Sequence, residues 1–129
     1  MSSLYVRQRV RQWITEVSTV PFHDSINKAV DPSDAIWLTL EFDNARTDSL
    51  TFCSEIERGT FSLVYVGAGG VGDVPILTQI ALDLPALMAQ VDPAGRLELI
   101  EASPPEELTD GDGSPYMLGV SIDYQYQPA

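Results

Sequence analysis

The apolar residues of this chain fall into two helical stripes and several alternating runs. Val6, Val10, Trp13, Ile14 and Val17 recur at three- and four-residue spacing, which predicts a helix over residues 3–18 capped by Ser2 or Ser3. Residues 18–35 are broken by Pro21, Asn27, Asp31, Pro32, Ser33 and Asp34 and predict an irregular segment, with Phe22 anchoring it to the core. Residues 35–42, AIWLTLEF, alternate as a strand: Ile36, Leu38, Leu40 and Phe42 face one way, and Trp37, Thr39 and Glu41 the other. Residues 43–49, DNARTDS, read as a polar turn. Residues 50–58 and 60–66 read as extended, either as two strands or as one long strand bulged at Gly59.

A glycine-rich stretch, GAGGVGD, separates this part from a second helix. Asp73 is the expected N-cap, Pro75 suits the first turn, and Ile76, Leu77, Ile80, Ala81, Leu84, Leu87 and Met88 form a broad apolar face. Pro85 should kink this helix or end it near Asp83. Asp92, Pro93 and Gly95 predict a turn, residues 96–102 a strand, and residues 103–115 a mobile acidic loop. The last strand, 116–126, alternates most regularly, with Tyr116, Leu118, Val120, Ile122, Tyr124 and Tyr126 on one face. The order α, β, β, β, α, β, β predicts an α+β fold. Its expected form is a mainly antiparallel sheet of four to five strands, with two helices packed on one face.

Composition narrows the class. The 129 residues suit a single soluble domain, with no apolar leader at the N-terminus and no run that resembles a membrane span. Cys53 is the only cysteine, which excludes an internal disulfide and suits a reducing compartment. Nineteen acids against seven bases give a net charge of −12. The excess is uneven: residues 1–58 carry nine acids and six bases, and residues 59–129 carry ten acids and only Arg96. Such a surface repels phosphate backbones and anionic lipid, so no specific nucleic-acid or membrane partner is expected. Arg7, Arg9 and Arg11 stand in the first half of the first helix, where the dipole disfavours cations. They form either a solvated face or a patch for an acidic partner, which includes another copy of the chain.

Candidate chemistry is sparse. Gly67, Gly69 and Gly72 spell the glycine spacing of a dinucleotide loop. A fingerprint also needs a parallel strand–helix–strand unit and an acid closing the second strand. Asp92 stands before that strand, and Glu101 is nearer the required place. Asp73 occupies the position where a phosphate-binding loop has lysine. The loop is therefore read mainly as a hinge, with a small nucleotide-binding domain as the competing reading. Asp110, Asp112 and Ser114 faintly resemble a calcium loop, but Pro115 and Ser121 stand where glycine and the closing glutamate belong. His23 and Cys53 fit no catalytic motif, and Glu106 with Glu107 lies in a proline-rich loop. No catalytic residue, cofactor or metal is assigned.

The full-length pattern resembles the phage tail terminator-like proteins of the lambda type. The likeness rests on the helix LYVRQRVRQWITEV, the segment SINKAVDPSDAIWLTLEF, the unit RGTFSLVYVGAGGVGDVPILTQIALDLPALM, the strand GRLELIEASPPEE and the closing strand YMLGVSIDYQY. The glycine-rich loop and the acidity depart from the usual pattern. The resemblance implies a non-enzymatic structural protein that assembles as a homohexameric ring on the tail tube. There it stops polymerisation and presents a surface for the head-completion protein. It implies a place in the host cytoplasm during assembly and then in the virion tail. A head–tail connector or neck component is the alternative within the same setting. The residues expected at a subunit or tail interface are Arg7, Arg11, Gly67, Gly69, Gly70, Gly72, Asp73, Glu106, Glu107, Asp110 and Asp112. An acidic lumen would let DNA pass without adhering.

Overall fold

The structure is a computed structural model that describes residues 3–22, 36–43, 45–51, 54–67, 72–108 and 116–127. Among the described residues there are two helices, α1 (Leu4–Val17) and α2 (Asp73–Met88). The strands are β1 (Ile36–Phe42), β2 (Arg46–Thr51), β3 (Ser54–Gly67), β4 (Leu97–Ala102), β5 (Glu106–Glu107) and β6 (Tyr116–Tyr126). The fold is α+β, and every strand pairing is antiparallel.

β3 and β6 form the spine of the sheet. β3 spans 14 residues and pairs with β6 without interruption from Glu57↔Tyr126 to Gly67↔Tyr116. β1 and β2 share the other side of β3, and β4 and β5 share the other side of β6. Phe61, Leu63 and Tyr65 of β3 lie level with Ile122, Val120 and Leu118 of β6, and level with Phe42, Leu40 and Leu38 of β1. These residues and the inner stripes of both helices form one core: Val6, Val10, Trp13 and Ile14 of α1, with Ile76, Ile80 and Leu87 of α2. Complete burial of each such side chain contributes about 1.5–3 kcal/mol before entropy is counted. On the opposite face Trp37, Val64 and Val66 make a smaller buried cluster, joined by Met117.

Several expectations need correction. Residues 46–49 are not a turn: β2 begins at Arg46 and forms a hairpin with the first part of β3. Gly59 carries no bulge, since its register with Tyr124 is continuous with its neighbours. A Cβ at Gly59 would lie 2.6 Å from the Tyr124 hydroxyl and 2.8 Å from Cζ. Glycine is there to admit that ring. The N-cap of α2 is Gly72, and Asp73 is the first helical residue. There its charge still complements the helix dipole.

Pro85 does not end α2, which continues to Met88. Proline removes one donor, but Ala81, whose carbonyl loses it, lies on the exposed side where water substitutes. The acidic loop is partly ordered into β5, paired at Glu106↔Gly119 and Glu107↔Leu118. Finally, β3 and β4 are both antiparallel to β6 and so run the same way, with α2 connecting them. The sequence does contain a strand–helix–strand unit, split by β6.

Candidate functional site

Three buried carboxylates stand out, and all three hold elements together. Glu57 of β3 projects on the helix side of the sheet, in the same alternation as Phe61 and Leu63. It accepts the Tyr124 hydroxyl at 2.8 Å and the backbone N–H of Ser3 at 3.2 Å. A negative charge therefore stands at the N-terminus of α1, where the helix dipole favours it. Asp83 sits on the buried stripe of α2 between Ile80 and Leu87. It accepts from Ser18 Oγ at 2.7 Å, Tyr65 Oη at 2.8 Å and Gln79 Nε2 at 2.9 Å. Burial, followed by the charge and hydrogen bond of Asp83, pushes the Tyr65 hydroxyl well above the ordinary tyrosine range.

Asp92 lies just beyond α2. It accepts the Tyr5 hydroxyl at 2.8 Å and the backbone N–H groups of Ala94, Arg96 and Leu97 at 3.3, 3.0 and 3.0 Å. Arg9 Nε approaches it to 3.6 Å. Burial alone would raise its pKa, but the Tyr5 and backbone hydrogen bonds together hold it below the usual carboxylate range. Each carboxylate is thus supplied with donors from its own chain. The arrangement braces α1 at its start, its first turns and its C-cap.

The expected interface residues divide between two regions. The Arg7 guanidinium lies 4.8 Å from the centre of the Phe42 ring, and that of Arg11 lies 5.0 Å from Phe22. Both cover the aromatic margin of the core on the β1 side. Gly67 is buried at the end of β3, opposite Tyr116 and Ile36. Gly72, Asp73, Glu106 and Glu107 are exposed. Asp73 and Glu107 both act electrostatically on Tyr116, whose hydroxyl is raised first by burial and then by these two acids. Strand β5, beside Leu118, therefore lies toward the same end of the sheet as Gly67 and Tyr116. Gly69, Gly70, Asp110, Asp112, His23 and Cys53 lie outside the described residues.

That end of the sheet bears on the nucleotide reading. A phosphate arriving at the N-terminus of α2 would meet exposed Asp73 in the first turn. Glu101 pairs with Asp123, which pairs with Thr60, seven positions along β3 from Gly67. At about 3.3 Å per residue that is roughly 23 Å from the glycine loop, too far for one ribose to span. The split strand–helix–strand unit is real, but its acid, at the C-terminal end of the short β4, lies level with the middle of β3 and far short of the glycine loop.

Two surfaces were not singled out by the sequence. The outward side of α2 exposes Val74, Leu77, Ala81, Leu82 and Pro85, with Val74 and Leu82 each 67% exposed. From Val74 to Met88 the only charged residue is Asp83, and it is buried. The second surface is an open groove on the sheet face away from the helices, lined by Arg46, Arg58, Thr60, Ile100, Asp123 and Gln125. The α2 signal was present in the sequence, because its apolar residues exceed a single face. The groove was hidden by reading residues 46–49 as a turn. Among the described residues no group of acidic, histidine or cysteine side chains is arranged to hold a metal, and no helix is long and apolar enough to cross a membrane.

No protein-family model matches the chain, and no curated protein matches it.

Proposed function

We propose that this chain is a non-enzymatic structural protein of a phage or prophage tail, of the tail terminator kind. It caps the tail tube as a homohexameric ring, ends polymerisation and presents the surface to which the head-completion protein joins. It does so in the host cytoplasm during assembly and remains in the virion tail. The observation that carries this reading is the outward side of α2. A helix whose apolar residues extend well beyond its inner stripe suits burial between protein layers. On a chain of net charge −12 its outer face is a place where another subunit can approach without desolvating charge. The element order agrees with the resemblance, including the long β3 with Gly59 near its middle and α2 packed on the sheet. The buried carboxylates add support of another kind, since their hydrogen bonds are engaged in holding the fold.

The test is assembly with the matching tail-tube protein. Tubes grown with the chain present should reach a limited length, with the chain at one end by electron microscopy. Tubes that lengthen without limit at saturating amounts of the chain would reject the reading.

A further inference from the structure

Arginines and glutamates stand on opposite sides of the sheet, at β2 and at β4. β2 pairs only with β3, and β4 only with β6, so both are edge strands among the described residues. The register places one row of side chains across the helix-free face: Arg46 opposite Arg58, Arg58 opposite Gln125, and Gln125 opposite Glu98. The neighbouring row runs from Thr60 to Asp123 to Glu101. Arg46, Arg58, Glu98, Glu101 and Asp123 are all exposed. The face therefore carries Arg46 and Arg58 on its β2 side, with Asp48 two positions along β2, and Glu98 and Glu101 on β4, three strand spacings or about 14 Å away, with Arg96 just before β4. The chain has only seven bases, and two of them stand directly opposite each other on this edge. Both arginines make contacts within their own chain. What they offer a neighbour is a pair of adjacent, exposed arginines.

We propose that the β2 edge of one copy binds the β4 edge of the next, with Arg46 and Arg58 facing Glu98 and Glu101 across the joint. This assignment rests on the ring reading and specifies its subunit contact. The strand directions agree with it. β2 and β6 run opposite to β3, while β4 runs with β3. If all copies point the same way, β2 of one copy therefore meets β4 of the next antiparallel. The row that ends in Glu98 then continues into Arg46 of the neighbour. Such a joint is head-to-tail, so repetition closes a ring or extends a filament and cannot stop at a symmetric dimer. The backbone groups on the outer edges supply the hydrogen bonds, and the charges set partner and register. The bulge between Leu99 and Glu101 limits how far β4 can pair with an unsuited strand.

The experiment uses two full-length variants, R46E/R58E and E98R/E101R, with association followed by native mass spectrometry and light scattering. Near neutral pH and about 50 mM salt, wild type should form oligomers that weaken near 500 mM as charges are screened. Each variant alone should associate on the order of 100-fold more weakly, because like charges then meet at the joint. An equimolar mixture should recover assembly as alternating copies, since both kinds of joint are again complementary. Recovery also shows that both variants are folded. A variant that assembles alone as wild type does, a mixture that stays dissociated, or a wild type that does not associate overturns the assignment. The ring reading is judged separately. If wild type limits tube length while the swaps leave that activity intact, the contact lies elsewhere and the ring reading stands. If tubes are never limited but the swap-and-mix pattern holds, the joint stands and the tail role falls.

Discussion

The two helices share one core and are faced in opposite ways on the outside. α1 turns Gln8, Arg11, Gln12, Thr15 and Glu16 to solvent, and the arginines on its flank lie over Phe42, Tyr5 and Phe22. α2 turns Val74, Ala81, Leu82 and Pro85 outward and buries its one interior charge, Asp83. On α1 the polar residues make an outer boundary with water, while the aliphatic parts of its arginines seal the margin of the core. On α2 that boundary is reduced to Asp73, Thr78 and the half-buried Gln79, whereas on α1 the exposed apolar residue is Leu4. The difference separates an outer surface bounded mostly by polar groups from one that leaves several apolar side chains exposed. It also assigns the bracing: α1 is held by hydrogen bonds to Glu57, Asp92 and, through Ser18, Asp83.

The inward faces should be the most sensitive, because there the two helices do the same job. Leu87 is 1% exposed and fills the core beneath α2. Leu87→Ala should cost about 3 kcal/mol by urea unfolding, through lost transfer energy and the cavity left behind. A loss under about 1 kcal/mol would mean that the α2 stripe is not packed as described. Next comes the brace specific to α1. Asp92→Asn should cost about 2–3 kcal/mol, because an amide replaces a carboxylate that accepts from a hydroxyl and three backbone N–H groups. The pH dependence follows from the sign of the shift. The folded carboxyl lies below its ordinary value, so its contribution is present above about pH 4 and is lost as pH falls through the folded value. Asp92→Asn should remove that part of the acid slope; an unchanged slope would place the shift on other carboxyls.

Much of this was legible from periodicity. α1, β6 and the inner stripe of α2 follow from spacing that matches burial, whereas β1 is a strand as read but buries Trp37 and Thr39 of the opposite face along with Leu38. The failures have particular causes. Residues 46–49 look like a loop because Arg46, Thr47, Asp48 and Ser49 are polar, and the long-range pairing with β3 is what makes them a strand. Asp73 looks like the cap, but the cap is Gly72 and Asp73 is already the first helical residue. The braces were partly visible: Glu57 shares a strand face with Phe61, and Asp83 interrupts an apolar helical stripe. Asp92 gave no such sign, because its donors come from Tyr5, 87 positions away, and from a turn that forms only with the fold.

A smaller effect tests the brace between α2 and the sheet. Tyr65→Phe removes one of the donors to Asp83 while leaving those from Ser18 and Gln79. The cost at neutral pH should be about 1 kcal/mol. The alkaline limb should change more clearly. A hydroxyl raised in the folded state contributes stability below about pH 10, its value in the unfolded chain, and loses it as pH climbs beyond. Wild type should therefore weaken above about pH 10, and Tyr65→Phe should flatten that limb. Parallel limbs in the two proteins would assign the alkaline loss to other groups.

The smallest effect on folding is the most direct test of the outer faces. Leu82→Ser on α2 and Gln8→Ser on α1 both place a modest helix former at an exposed helical position. Each should leave unfolding free energy within about 0.5 kcal/mol of wild type, because neither outward side chain packs in the single chain. Association should separate them. A leucine covered by a neighbour contributes about 1.5–3 kcal/mol, so its loss should weaken assembly by roughly 10- to 100-fold, read as the protein concentration needed to limit tube length. Gln8→Ser should leave that concentration unchanged, because the α1 face is already satisfied by water. If the two variants act alike, the outer face of α2 is only an apolar surface in solvent. The contrast between the helices would then lie in composition and not in what they meet.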